Sequence, residues 1–201
     1  MAIKSMPKPA VIEDAAQISR SLALAFDDDP MMRWFFPVDS SREASLTSYF
    51  STIFTRQYVH NGVCERTADA AAFWVPAEAQ DKAVPDAETI QHLTDLLGER
   101  AGLFKDAVET AAQHTPQEPH WSLALIGADP ACQGQGQGAA LVRSGLAKAD
   151  DAGLPVYLES SKKSNLPFYE HFGFTVRHEV QLPGGGPVLW GMWREPRPTG
   201  A

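Results

Sequence analysis

Apolar positions along the chain recur with two different periods, and the changes of period mark the elements. Ile18, Leu22, Ala25 and Phe26 fall at helical spacing and predict an amphipathic helix over about Ala15 to Phe26. Asp14 offers an N-cap oxygen with Gln17 three residues on, and Val11-Ile12 before it reads as the start of a first strand. Asp27-Asp28-Asp29-Pro30 ends the helix, and an acidic run in that place reads as a solvated loop. Met31 to Pro37 is rich in aromatics. Leu46, Tyr49, Phe50, Ile53 and Phe54 form the stripe of a second helix, capped by Ser40 or Ser41. Val63 to Arg66 and Ala70 to Val75 read as an antiparallel hairpin turning near Asp69. Pro76 to Pro119 is long for a link between strands. Ile90, Leu93, Leu96 and Leu97 predict one helix there, and Leu103, Phe104, Ala107, Val108 and Ala111 a second.

The second half carries denser signals. An apolar run from Leu123 to Ile126 leads into Asp129-Pro130-Ala131-Cys132-Gln133-Gly134-Gln135-Gly136-Gln137-Gly138-Ala139-Ala140-Leu141, and an Ala/Leu/Val pattern of helical spacing follows. This reads as strand, glycine-rich loop and helix. Such a loop turns several backbone N–H groups toward one point at the positive end of a helix, which suits a phosphate. The spacing is not that of a nucleoside triphosphate P-loop, and it overlaps only loosely with the dinucleotide fingerprint G-x-G-x-x-G. It fits Q/R-x-x-G-x-G/A through Gln133, Gly136 and Gly138. Val156 to Ser161 reads as a short buried strand, followed by Asn165-Leu166-Pro167-Phe168-Tyr169-Glu170-His171-Phe172-Gly173-Phe174. Val176 to Leu182 and Val188 to Arg194 read as a closing antiparallel pair around the turn Pro183 to Pro187.

Composition narrows the class. With 201 residues, 44% of them hydrophobic, the chain suits one domain with a substantial core. A net charge of −8 without a basic block argues against nucleic acid as a partner and is compatible with a cationic amine substrate. No apolar run is long enough to span a membrane, and the N-terminus lacks the apolar block of a secretory signal, so a cytoplasmic protein with no membrane partner is expected. The two cysteines, Cys64 and Cys132, do not have metal-ligand spacing, and no metal is expected. Cys132, beside the glycine loop, reads as incidental rather than as a catalytic thiol.

The glycine loop and the Asn165 to Phe174 segment, in that order and with room for one helix and one strand between them, resemble the acetyl-CoA loop and the motif B of the GNAT superfamily of N-acetyltransferases. The resemblance implies an α/β (α+β) fold: a mixed, mostly antiparallel central sheet flanked by helices and splayed at the acetyl-CoA site. It implies a single domain over residues 9–196, flexible tails at 1–8 and 197–201, and a helical insertion at 76–119 near the acceptor site. Segments including Glu118-Pro119-His120-Trp121, Gly127-Ala128-Asp129-Pro130 and Gly173-Phe174-Thr175-Val176 are similar to the puromycin N-acetyltransferase group within that superfamily. That likeness is strongest over Pro119 to Trp193 and weak over Pro76 to Glu118.

The resemblance also implies roles. Leu125, Ile126, Gly127 and Ala128 would pair their backbone with the pantetheine arm of acetyl-CoA, with the N–H of Ile126 as the candidate to polarise the thioester. The amides of Gln133, Gly134, Gln135, Gly136, Gln137, Gly138 and Ala139 would hold the pyrophosphate, with Lys162, Lys163 or Arg143 as candidate local cations. Asn165 would bind the pantetheine arm. Tyr169, four residues later and on the same helical face, would protonate the departing thiolate. Glu159 is a candidate base or amine-binding carboxylate, with Glu118 and His120 as further candidates for the base and Asp27 to Asp29 for binding the amine. The activity implied is acyl transfer by direct attack in a ternary complex, onto a primary amine of a small molecule such as an antibiotic, by a monomer or homodimer. Two alternatives stand beside it: a protein or peptide N-acetyltransferase, and a non-catalytic module that senses acetyl-CoA.

Overall fold

The structure, a computed structural model, describes residues 6–198. Its strands are β1 (Lys8–Pro9), β2 (Val63–Arg66), β3 (Ala70–Val75), β4 (Trp121–Ala128), β5 (Val156–Ser160), β6 (Thr175–Gln181) and β7 (Val188–Arg194). Its helices are α1 (Ala15–Phe26), α2 (Pro30–Phe35), α3 (Asp39–Ile53), α4 (Val59–Asn61), α5 (Ala87–Leu97), α6 (Ala101–Ala112), α7 (Gln137–Asp151) and α8 (Leu166–His171). The strands form one sheet in the order β1-β2-β3-β4-β5-β7-β6. Every neighbouring pair is antiparallel except β4 and β5.

β3 is buried along its whole length, so helices must cover both faces of the sheet. Its alternating side chains feed two cores. Ala71 and Phe73 join Leu22, Leu46, Phe50 and Phe54 under α1 and α3. Ala72 and Trp74 join Leu141, Leu146 and Met192 under α7 and α8. Ile18 and Leu22 of α1 are almost fully buried, and burial of a side chain of that size contributes about 2 kcal/mol. Glycine lets helices come close at two points. A Cβ at Gly127 of β4 would lie 2.9 Å from Leu22, and one at Gly145 of α7 would lie 2.0 Å from the Trp74 indole.

The N-terminal end departs from the hydrophobic pattern. Lys8 and Pro9, not Val11 and Ile12, form the first strand, opposite Arg66 and Glu65. Val11 and Ile12 are exposed, and the chain turns at once through Ile12–Asp14. Asp14 makes no cap bond to α1. Its carboxylate accepts from the Val11 N–H at 3.1 Å and pairs with Arg66 at 2.5 Å, and the Arg66 hydrogen bond holds its pKa below the usual carboxylate range. α3 starts at Asp39, with Ser40 and Ser41 already inside its first turn. Arg42 sets that start: its buried guanidinium donates to the Phe36 carbonyl at 2.8 Å and pairs with Asp39. Of the predicted tails, residues 1–5 and 199–201 lie outside the described residues, whereas Lys8 is strand and the Arg197 N–H donates to Asp150 at 2.8 Å. Among the described residues no helix is long and apolar enough to cross a membrane.

The segment 76–119 folds as expected into a helical pair, α5 and α6. Leu93, Leu97 and Ala107 are buried, while Ile90 and Val108 face solvent. α6 packs Phe104 on Phe35 with ring centroids 5.1 Å apart, and Arg100, just before α6, donates to the Trp34 carbonyl at 3.1 Å. The β6–β7 turn lies against the same wall: a Cβ at Gly184 would meet Leu103 at 2.6 Å, and one at Gly186 would meet Trp34 at 3.0 Å.

Candidate functional site

β4 and β5 part company almost as soon as they meet. They pair only at Trp121↔Val156 and Ser122↔Tyr157, while β4 stays paired with β3 as far as Ala128. From Leu123 onward β4 therefore has a strand on one side only. Leu125, Ile126, Gly127 and Ala128 all lie on this one-sided stretch, and all are partly exposed.

The glycine loop closes the wide end of this slot. Asp129 accepts from the Ala131 N–H at 2.9 Å, and its own N–H donates to the Asp69 carbonyl at 2.9 Å, which ties the loop to the β2–β3 turn. The Gln133 side chain donates back to the Ala128 carbonyl at 3.3 Å, and the Gln133 N–H makes a long bond of 3.4 Å to Pro130. Gly134 and Gly136 hold φ of +75° and +79°, a region that L side chains rarely adopt, and Gly136 caps α7 in that conformation. Nothing lies within 4 Å of a Cβ at either position, so the twist and not crowding calls for glycine. The first amides of α7, those of Gln137, Gly138 and Ala139, have no partner one turn earlier and carry the positive end of the helix dipole.

Gln137 has a second task. Its side chain is buried, with Oε1 accepting from Thr67 Oγ1 at 2.5 Å and the Asp69 N–H at 3.0 Å, and Nε2 donating to Asp69 at 3.0 Å. It staples the start of α7 to the hairpin, leaving only its backbone at the loop surface. Of the candidate cations, Lys162 pairs with Asp28 at 2.5 Å, Arg143 lies over the Phe172 ring at 5.6 Å, and Lys163 is exposed.

Across the slot, Asn165 precedes α8 and is exposed, with its N–H donating to the Lys162 carbonyl at 2.9 Å. Tyr169 is buried in α8 beside Phe168 and Phe174. Burial, together with the charge of Asp29, raises its phenol pKa above the ordinary value and keeps it protonated.

Asp29 is the residue that sequence reasoning placed in a solvated loop and that the fold buries. Its Oδ1 accepts from the N–H groups of Met31 and Met32 at 2.9 and 3.1 Å, capping α2, and its Oδ2 accepts from Ser161 Oγ at 2.5 Å. Burial raises its pKa despite these bonds. The Pro30 that follows it is the signal of an N-cap, and it was readable. Asp27 and Asp28 remain exposed and pair with Arg42 and Lys162.

Glu159 sits on the face of β5 opposite Leu158, which packs into the α7–α8 core. It is exposed, and the protein around it partly desolvates the carboxylate and raises its pKa, opposed by a hydrogen bond from Tyr157 and by His114. Tyr157 Oη donates to Glu159 Oε1 at 2.9 Å and lies 3.3 Å from His178 Nε2. Tyr157 and His178 were not singled out from the sequence. Strand alternation puts Tyr157 on the face of Glu159, but nothing local marks His178. His120 is buried against Tyr157 and Trp193, with Nδ1 donating to the Glu118 carbonyl at 2.7 Å and Nε2 without a protein partner. Glu118 is exposed and pairs with Arg177 at 3.7 Å.

Comparison with known proteins adds a family to this geometry. The sequence model of the acetyltransferase (GNAT) family matches residues 42–174. Over 62 residues the chain is 40% identical to an uncharacterized N-acetyltransferase of Schizosaccharomyces pombe, a stretch that covers 31% of this chain and 25% of that protein. Over 65 residues it is 37% identical to the mycothiol acetyltransferase of Nocardiopsis dassonvillei, covering 31% of this chain and 20% of that protein. The match thus spans a quarter or less of these curated relatives. A crystal structure from Corynebacterium glutamicum, described as histone acetyltransferase HPA2 and related acetyltransferase, aligns over 98% of both chains with a TM-score of 0.74 at 23% identity, a likeness of fold.

Proposed function

The chain belongs to the acetyltransferase (GNAT) family, whose members use acetyl-CoA as co-substrate, and on that premise we propose that it moves an acetyl group from acetyl-CoA to the primary amine of a small molecule. The observation that carries this reading is the one-sided stretch of β4, which runs into the positive end of α7. Bound acetyl-CoA would supply an already activated thioester. The residues present fit it. Backbone groups of Leu125 to Ala128 face a gap with no strand, and the twisted glycines leave the loop surface open above the first amides of α7.

The chain's own groups then divide the work. The amides between Gln133 and Ala139 hold phosphate, those of Gln137 to Ala139 most directly. Asn165 steadies the pantetheine arm from the β5 side, and the Ile126 N–H polarises the thioester carbonyl. Tyr169 Oη, a phenol that is protonated at neutral pH, carries the proton for the departing sulfur. Glu159 lies on the other face of the sheet, where it attracts a cationic amine and takes its proton. Acid and base thus stand on opposite faces of the sheet beside the slot, which favours direct attack within a ternary complex.

A small acceptor is favoured over a protein chain by the wall of α6, α2 and the β6–β7 turn, which packs through Trp34 and Leu103 on the Glu159 side. The likeness to the puromycin N-acetyltransferase group makes puromycin the first amine to try. The test is mass spectrometry of puromycin, other aromatic amines, amino sugars and short peptides incubated with the protein and acetyl-CoA, with released CoA thiol read in parallel. An acetylated small amine is the expected result. Acetyl-CoA binding without transfer to any amine would overturn the catalytic reading and favour a sensor module.

A further inference from the structure

Glu159 is one end of a row of polar groups that crosses three strands. Tyr157 and Glu159 are two residues apart on β5 and share a face. β7 lies between β5 and β6, and its Gly191 pairs with Glu159 on one side and with His178 on the other. The register of β6 shifts between Val176 and His178, so Arg177 is the extra residue and His178 stands opposite the glycine. A Cβ at Gly191 would fall 2.1 Å from His178 Nε2. The imidazole therefore lies across β7 through a gap that any side chain there would close.

That placement brings Nε2 to 3.3 Å from Tyr157 Oη, which is itself 2.9 Å from Glu159 Oε1. Tyr157 is buried, while Glu159 at one end and the half-buried His178 at the other both reach water. Beyond His178 stands the exposed His114, just past α6, with ring centroids 5.5 Å apart. Other charged or titratable groups stand close to the row. His120, from the segment before β4, packs its ring against Tyr157. Arg177, beside His178 on β6, lies over the Trp193 ring at 3.8 Å and pairs with Glu118 and Glu195. Glu179 follows on β6 and is exposed.

We propose that Tyr157 and His178 are positioning residues that hold the Glu159 carboxylate and carry its proton away from the acceptor site to solvent beside His114. This rests on Glu159 taking a proton from the incoming amine. In the starting state Glu159 is ionised and His178 is neutral, with its proton on Nδ1. Glu159 takes one proton from the substrate ammonium. Its carboxyl O–H then passes that proton to Tyr157 Oη as Tyr157 passes its own to His178 Nε2. His178 releases the Nδ1 proton to water. One proton has left the amine and one has entered solvent, Glu159 is again a carboxylate, Tyr157 is again a phenol, and no electron pair changes its element. The imidazole returns to its first tautomer through exchange with water.

Two measurements test this on the whole chain, and the first needs no acceptor. The His178 imidazole is titrated by NMR in the wild type, Glu159→Gln, Tyr157→Phe and the double variant. The expected result is a midpoint that moves in Glu159→Gln by about half a unit and moves much less when Tyr157 is already Phe. An identical midpoint in Glu159→Gln and the wild type would overturn the row even if transfer to an amine is established. The second uses whichever amine the transfer assay identifies. His178→Ala is expected to lower kcat by about tenfold, and added imidazole is expected to restore it, because the vacated gap admits the same ring and only a proton carrier can replace one. An unchanged kcat, or a loss that imidazole leaves untouched, would overturn the relay. If the wild type acetylates no amine, the proposed function fails by itself, and the NMR titration still decides whether these groups act as one.

Discussion

On one face of the sheet α7 and α8 lie over Ala72, Trp74 and Met192; on the other, α1, α3, α5 and α6 lie over Ala71, Phe73 and Leu189. The first face offers a ligand mostly backbone: a strand edge, two left-handed glycines and the start of a helix. It is held close by Gly145, which sits flat on the Trp74 indole. The second face offers side chains: Glu159, Tyr157, His178 and the aromatic wall of Trp34, Phe35 and Phe104. Backbone recognition depends on local geometry that a few glycines dictate, so it can be written in one short run of residues. Side-chain recognition depends on which strands become neighbours, so its parts are scattered over the chain.

If this division is correct, substitutions on the two faces should separate cofactor affinity from acceptor affinity. The larger effect is expected at Gly136. An alanine there must hold a left-handed conformation, at a cost of about 1–2 kcal/mol, and calorimetry should show acetyl-CoA binding weakened by about tenfold, with the KM for the acceptor amine nearly unchanged. Full affinity in Gly136→Ala would mean that the loop does not need this backbone shape. A smaller effect is expected at Phe104. Its ring packs on Phe35 at 5.1 Å and near Tyr49 at 6.4 Å, so Phe104→Ala loosens the wall. Steady-state assays should show the acceptor KM rise by about threefold at constant acetyl-CoA affinity. A loss of acetyl-CoA affinity instead would show that the two faces are not separable.

The same contrast explains what could be read in advance. α1, β2 and β3 run over the residues that hydrophobic periodicity marks, because their apolar positions face a core. The α5–α6 pair was legible through Leu93, Leu97 and Ala107, which face the core, although Ile90 and Val108 of the same stripes face solvent. β1 was not, because a two-residue edge strand of Lys8 and Pro9 has no apolar pattern and is defined only by its pairing with Arg66 and Glu65. The start of α3 was displaced because the buried Arg42, rather than a serine hydroxyl, organises it. Gln137 and Asp29 looked like surface residues by type, and only the hairpin and Ser161 brought to them by the fold make them buried ties. The glycine loop, Asn165 and Tyr169 stood out within two short segments. The link from Glu159 to His178 did not, since it needs the order β5-β7-β6, a shifted register and a glycine in the middle strand.

The proposed chemistry needs an acid on one face of the sheet and a carboxylate on the other, and Tyr169 is the group whose removal tests it most directly. Tyr169→Phe removes one oxygen from a buried ring and leaves its packing on Phe168 and Phe174 in place. The measurement is kcat for acetyl transfer together with the dissociation constant for acetyl-CoA. kcat is expected to fall by about tenfold or more while the dissociation constant stays within about twofold. An unchanged kcat would remove Tyr169 from the chemistry and contradict the arrangement of acid and base across the sheet.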